Sequence, residues 1–131
     1  MHLICDDVRF ESNGKLMIIG LYVDTVVVPE LPVSLGLTFL QLYHIHEVRP
    51  FRVILHLSGP NGNIGEPVTM DFDVRSTGTV VGVVRVPVRF ESSGEYRVTI
   101  TTPDGRVLAN PDGTVAKTFD ILVSQSVEGR S

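Results

Sequence analysis

A chain of 131 residues fits one domain, long enough to bury roughly two thirds of its unfolded surface in a single core, so stability requires neither a disulfide nor a structural metal. With 20% charged residues and a net charge of −4, it lacks the basic footprint of a nucleic-acid binder, and no apolar run nears the roughly 18 residues of a membrane helix. A single cysteine, Cys5, excludes an internal disulfide and favours a reducing cytoplasm; residues 1–5 are also too short for the apolar core of a signal peptide before Asp6 and Asp7 interrupt it.

Apolar residues recur at spacing two in segments rich in Val, Ile, Thr, Phe and Tyr, and no helical periodicity competes with them. The stretch ICDDVRFESNGKLMIIGLY, residues 4–22, is a predicted β-hairpin. Asn13-Gly14 tolerates the positive φ angles that a tight turn demands. A short strand then runs to Val28, and Pro29 and Pro32 mark a connection that cannot continue a central ladder. The next strand covers about 35–44. After it, Phe51, Val53, Leu55 and Leu57 alternate with Arg52, Ile54, His56 and Ser58 before a turn at Pro60-Asn61-Gly62.

Val68, Met70, Phe72 and Val74 share one face of a half-buried strand, with Thr69, Asp71, Asp73 and Arg75 on the other. Val84, Val86, Val88 and Phe90 point inward opposite Arg85, Pro87 and Arg89. A proline between arginines marks a protected edge strand. Tyr96, Val98 and Ile100 begin a second hairpin that turns at Pro103-Asp104-Gly105, and Phe119, Ile121 and Val123 share a face of the last strand.

About nine short strands with regularly spaced turns predict an all-β, two-sheet antiparallel sandwich, immunoglobulin-like in the broad sense, spanning 1–124 with a frayed polar tail over 125–131. Gly94-Glu95-Tyr96 resembles a tyrosine corner, in which the Tyr96 hydroxyl would bond back to nearby backbone.

The order Cys5-Asp6-Asp7-x-Arg9-x-Glu11, then Gly14-Lys15, then Ile19-Gly20-x-Tyr22, resembles a family of short uncharacterised bacterial proteins with a domain of unknown function. The pattern C-D-D-x-R-x-E, G-K, I-G-x-Y carries the resemblance. It implies a small β-rich domain and no activity.

In a regular first strand, Ile4, Asp6, Val8 and Phe10 share a face, which would drive Asp6 toward the core at a high desolvation cost. A β-bulge at Asp6-Asp7 would re-aim the side chain; alternatively Asp6 bonds backbone amides or pairs with Arg9 or Lys15. The pair is thus expected to shape the entry to the hairpin, with a contact role as the minority reading. Asp6, Asp7, Asp71 and Asp73 supply oxygen ligands without the spacing of a calcium loop. His44 and His46 share a face and would bind zinc only with His56 or Cys5. The Asp6 and Asp7 charges raise the pKa of Cys5, which argues against a nucleophile.

Neither a phosphate loop nor a Ser-His-Asp order is present, and no enzyme and no cofactor is expected. One oddity remains in KLMIIGLY: Leu16, Ile18 and Tyr22 occupy one face, yet Met17, Ile19 and Leu21 make the other apolar too. Either the proline-containing connection covers that second face or a protein does. The mean hydropathy of +0.21 fits hidden apolar surface. The sequence therefore predicts a non-enzymatic protein-binding or assembly module that uses a protein partner or self-association and engages neither nucleic acid nor membrane. Its interaction or structural residues are Asp6, Asp7, Arg9, Glu11, Lys15, Met17, Ile19 and Leu21. The alternative is a small-molecule- or metal-binding β domain using Asp6, Asp7 and the histidines.

Overall fold

The computed structural model describes residues 2–110, 113–114 and 116–124. Ten strands follow in chain order: β1 (His2–Phe10), β2 (Leu16–Tyr22), β3 (Thr25–Val28), β4 (Val33–Ile45), β5 (Phe51–Gly59), β6 (Gly62–Asn63), β7 (Val68–Phe72), β8 (Gly78–Phe90), β9 (Gly94–Thr101) and β10 (Lys117–Val123). They form a two-sheet sandwich. Sheet A has the order β2-β1-β4-β8, and sheet B the order β3-β10-β9-β5-β6, with β7 also paired to β5. All pairs are antiparallel except β3 with β10, so the sandwich is not wholly antiparallel as expected.

Strand alternation decides what lies between the sheets. Leu37 and Phe39 of β4, Val88 and Phe90 of β8, and Ile4 of β1 meet Val53, Leu55 and Leu57 of β5, Tyr96, Val98 and Ile100 of β9, and Phe119 and Ile121 of β10. Each strand presents every second side chain to this layer. Aromatic packing fills its centre: the Phe90 ring sits edge-on to Tyr96 at 5.0 Å, and Tyr96 stacks on Phe119 at 5.7 Å. The Tyr96 hydroxyl donates to the Ser92 carbonyl at 2.5 Å across the β8–β9 turn.

Several local expectations need correction. The first hairpin does not close on a two-residue turn. The Glu11 amide donates to the Lys15 carbonyl and the Gly14 amide to the Glu11 carbonyl, with only Gly14 at positive φ, +85°. A longer loop needs one left-handed residue rather than two, and Asn13 instead accepts the Lys15 amide on its side chain. The strand expected to reach Val74 ends at Phe72, although Val74 is itself buried. The returning arm of the second hairpin keeps one bridge, Thr101 to Val107. Val123 shares the face of Ile121 but is exposed at the strand's end. The 125–131 tail lies outside the described residues.

Candidate functional site

β1 carries most of the residues singled out by the sequence, and its register shows what becomes of Asp6. Cys5 faces Leu21 and Asp7 faces Ile19, so the pairing offset is the same on both sides of Asp6. There is no inserted residue and hence no β-bulge. Gly20 opposite adopts φ +66°, and a Cβ at that position would collide with Asp6 Oδ2. The carboxylate therefore fills the space that a side chain at position 20 would take.

Asp6 is exposed rather than driven into the core. Phe10, on the same face, is 66% exposed. Asp6 pairs with neither Arg9 nor Lys15; its Oδ1 accepts the Tyr22 hydroxyl at 2.5 Å. That bond, then burial, pushes the Tyr22 phenol up to about 12. Asp7 caps locally, accepting the Val8 amide at 2.9 Å and facing the Arg9 guanidinium at 3.5 Å. Glu11 and Lys15 hold the turn through their backbones, with exposed side chains.

The other face of β1 and β2 turns away from sheet B. Arg9 lies opposite Met17, Asp7 opposite Ile19 and Cys5 opposite Leu21, while on its other side Cys5 meets Thr38. Leu40 continues the row between Leu3 and Val83. Cys5, Thr38 and Leu40 are buried, yet none belongs to the core cluster between the sheets. On the edge strand, by contrast, Met17, Ile19 and Leu21 are 45%, 38% and 48% exposed. The proline-containing connection does not cover them; its Leu31 packs against the inner core instead.

The Cys5 thiol donates to the Thr38 carbonyl at 3.7 Å. Burial first and the Asp6 charge second push it above its ordinary value, which keeps it protonated at neutral pH. The residues weighed as metal ligands are dispersed. His56 bonds Thr101 on sheet B at 2.9 Å, His44 lies 3.5 Å from Thr79, and Asp71 and Asp73 are engaged by Arg52 and Arg75. Among the described residues no group of three His, Cys, Asp or Glu side chains is placed to hold a metal ion. Nor, among them, is any helix long and apolar enough to cross a membrane.

A second feature lies at the opposite end of the sandwich, where β4 ends, β5 and β8 begin and the turn after β9 returns. It is a cavity of about 810 Å³. Tyr43 and Phe51 line it, ring edge to ring face at 5.8 Å, with Phe51 stacked on Phe72 behind at 4.7 Å. Arg49, Arg52 and Arg106 supply its charge. His2 also lines it; burial lowers its imidazole to about 4, so that ring is neutral near pH 7. Sequence reasoning missed this group because its arginines come from two separate segments, Arg49 and Arg52 before and within β5 and Arg106 in the turn after β9, and share no spacing. The visible signal was limited to the density of His and Arg over 44–52.

The profile of a protein family of unknown function, DUF6941, matches residues 1–116. No curated protein matches the chain.

Proposed function

The chain belongs to the family of unknown function DUF6941, and with no activity to inherit from it we propose a non-enzymatic protein-binding or assembly module that docks through the outward face of sheet A. One observation carries the reading: Met17, Ile19 and Leu21 stand in a row on an edge strand, exposed, with Val83 across the sheet also open to water. An antiparallel sheet with one solvated face ordinarily places polar side chains there. A contiguous apolar patch on such a face marks an interaction surface. The adjoining Asp7 and Arg9 give it a charged border of the kind that rims protein interfaces. The occupant is a protein partner or a second copy of the chain, met in a reducing cytoplasm, where the buried thiol of Cys5 stays free.

Ile19→Glu tests this. Because Ile19 is exposed, the variant is expected to unfold within about 0.5–1 kcal/mol of wild type. It should abolish any concentration-dependent association seen in sedimentation velocity, and any specific partner captured by the tagged wild-type protein. A collapse in stability instead would make the face part of a closed core, and unchanged association and capture would place the interface elsewhere.

A further inference from the structure

We propose that the cavity at the β4–β5 end of the sandwich is a binding site for a small organic anion with a flat apolar body and a phosphate or carboxylate head.

Size comes first. A volume of about 810 Å³ lies within the roughly 300–1,000 Å³ typical of small-molecule sites. The walls are chemically divided. Tyr43, Phe51 and Leu108 offer aromatic and aliphatic surface to a planar group, and the Phe72 ring stacked behind Phe51 holds that wall in place.

Charge then selects the ligand. The chain as a whole carries −4, yet three arginines line this cavity against one carboxylate, Glu47. These arginines are not equally engaged. Arg52 is held by Asp71 at 2.6 Å, outside the cavity lining, and Arg49 only loosely by Glu47 at 3.7 Å. Arg106 makes no side-chain hydrogen bond or ion pair among the described residues, and its charge acts only on the Asp104 carboxyl of its own turn, which it helps to lower; the bonds of the turn go through its backbone amide and carbonyl. A guanidinium fork without a hydrogen-bonded partner beside an apolar wall suits a carboxylate or phosphate, which it can bind through two parallel hydrogen bonds. A neutral ligand would gain nothing from it. The Thr102 hydroxyl, at the base of the same turn, accepts the Arg106 amide at 3.2 Å and fixes the segment that carries the guanidinium.

The site is independent of the proposed docking face. It draws on the start of β1, on β4, β5, β8 and the turn after β9, and none of Met17, Ile19 or Leu21 lines it.

The test uses the full chain and three probes of one shape: 1-naphthyl phosphate, 1-naphthoate and neutral 1-naphthol, titrated by intrinsic probe fluorescence. The anions are expected to bind about tenfold or more tightly than naphthol, with affinity falling as salt rises. Arg106→Ala and Arg49→Ala are both exposed substitutions, expected to leave urea unfolding unchanged, and each should weaken the anions several-fold while leaving naphthol unchanged. Ile19→Glu should bind all three as wild type does. Whichever anion binds the tighter names the head group, and either ordering supports the site. Equal binding of naphthol and the anions, wild-type affinity in both arginine variants, or no binding of any probe would each overturn the proposal.

Discussion

On their outward faces β5 and β9 of sheet B follow a different rule from β1, β4 and β8 of sheet A, although the two sheets share one core. Along sheet B the outward positions of β5 and β9 are Arg52, Ile54, His56 and Ser58, and Glu95, Arg97 and Thr99. Several of these are paired: Arg52 with Asp71 at 2.6 Å, His56 with Thr101 at 2.9 Å. Along sheet A the outward positions of β1, β4 and β8 include Leu3, Cys5, Leu40, Leu42, Val81 and Val83. The difference separates two ways of losing water. Leu37 is buried within the core cluster between the sheets; Leu40, three residues along the same strand, is equally buried but lies outside that cluster. The second kind of burial does not reach β2, where Met17, Ile19 and Leu21 are exposed.

Leu37→Ala and Leu40→Ala put that distinction to the largest test. The residue type, strand and exposure are matched, so only the enclosure differs. Leu37→Ala leaves a cavity between two packed layers and is expected to cost about 3–4 kcal/mol in urea unfolding. Leu40→Ala opens onto solvent, water takes the vacated space, and the loss should be about 1–2 kcal/mol, nearer the transfer of the deleted carbons alone. Equal costs, measured on dilute monomer, would mean that the outward face of sheet A is enclosed.

Much of this was legible from residue order, and the reason is local. Val53, Leu55 and Leu57 against Arg52, His56 and Ser58, or Tyr96, Val98 and Ile100 against Glu95, Arg97 and Thr99, announce one wet face and one dry face, because sheet B has one of each. The same logic failed at Asp6. Alternation assigns a side chain to a face but does not say what lies over it, and Asp6 and Phe10 share the face of buried Ile4 yet are exposed to water. The parallel pairing of Asp120 with Thr25 joins residues far apart in sequence and leaves no local mark. Nor does the cavity, whose arginines meet only once the strands are stacked.

A smaller effect is expected at Gly20, where sheet A makes its one departure from a regular ladder between β1 and β2. Gly20→Ala places a side chain at φ +66°, a strain of about 1–2 kcal/mol for an L-residue, and forces the Asp6 carboxylate off the Tyr22 hydroxyl. Adding Asp6→Ala to that variant should recover the steric part and leave the backbone strain. Full recovery would show that crowding, not φ, makes glycine necessary.

The smallest effect belongs to the polar face of sheet B, and its pH dependence has a definite sign. The Arg52 guanidinium, through its hydrogen bond to Asp71, holds that carboxyl below its ordinary value of 3.8. A carboxyl whose pKa is lower when folded adds stability above the unfolded value and loses it as pH falls through the folded one. Arg52→Gln should therefore unfold slightly earlier than wild type at neutral pH, with the two urea midpoints converging below pH 3.8. Both partners are exposed, so the same convergence should appear at neutral pH in about 1 M salt, where the screening length shrinks to about 3 Å. A difference that survived salt would mean the pair is shielded from solvent, and the outward face of sheet B would then need a cover as much as that of sheet A does.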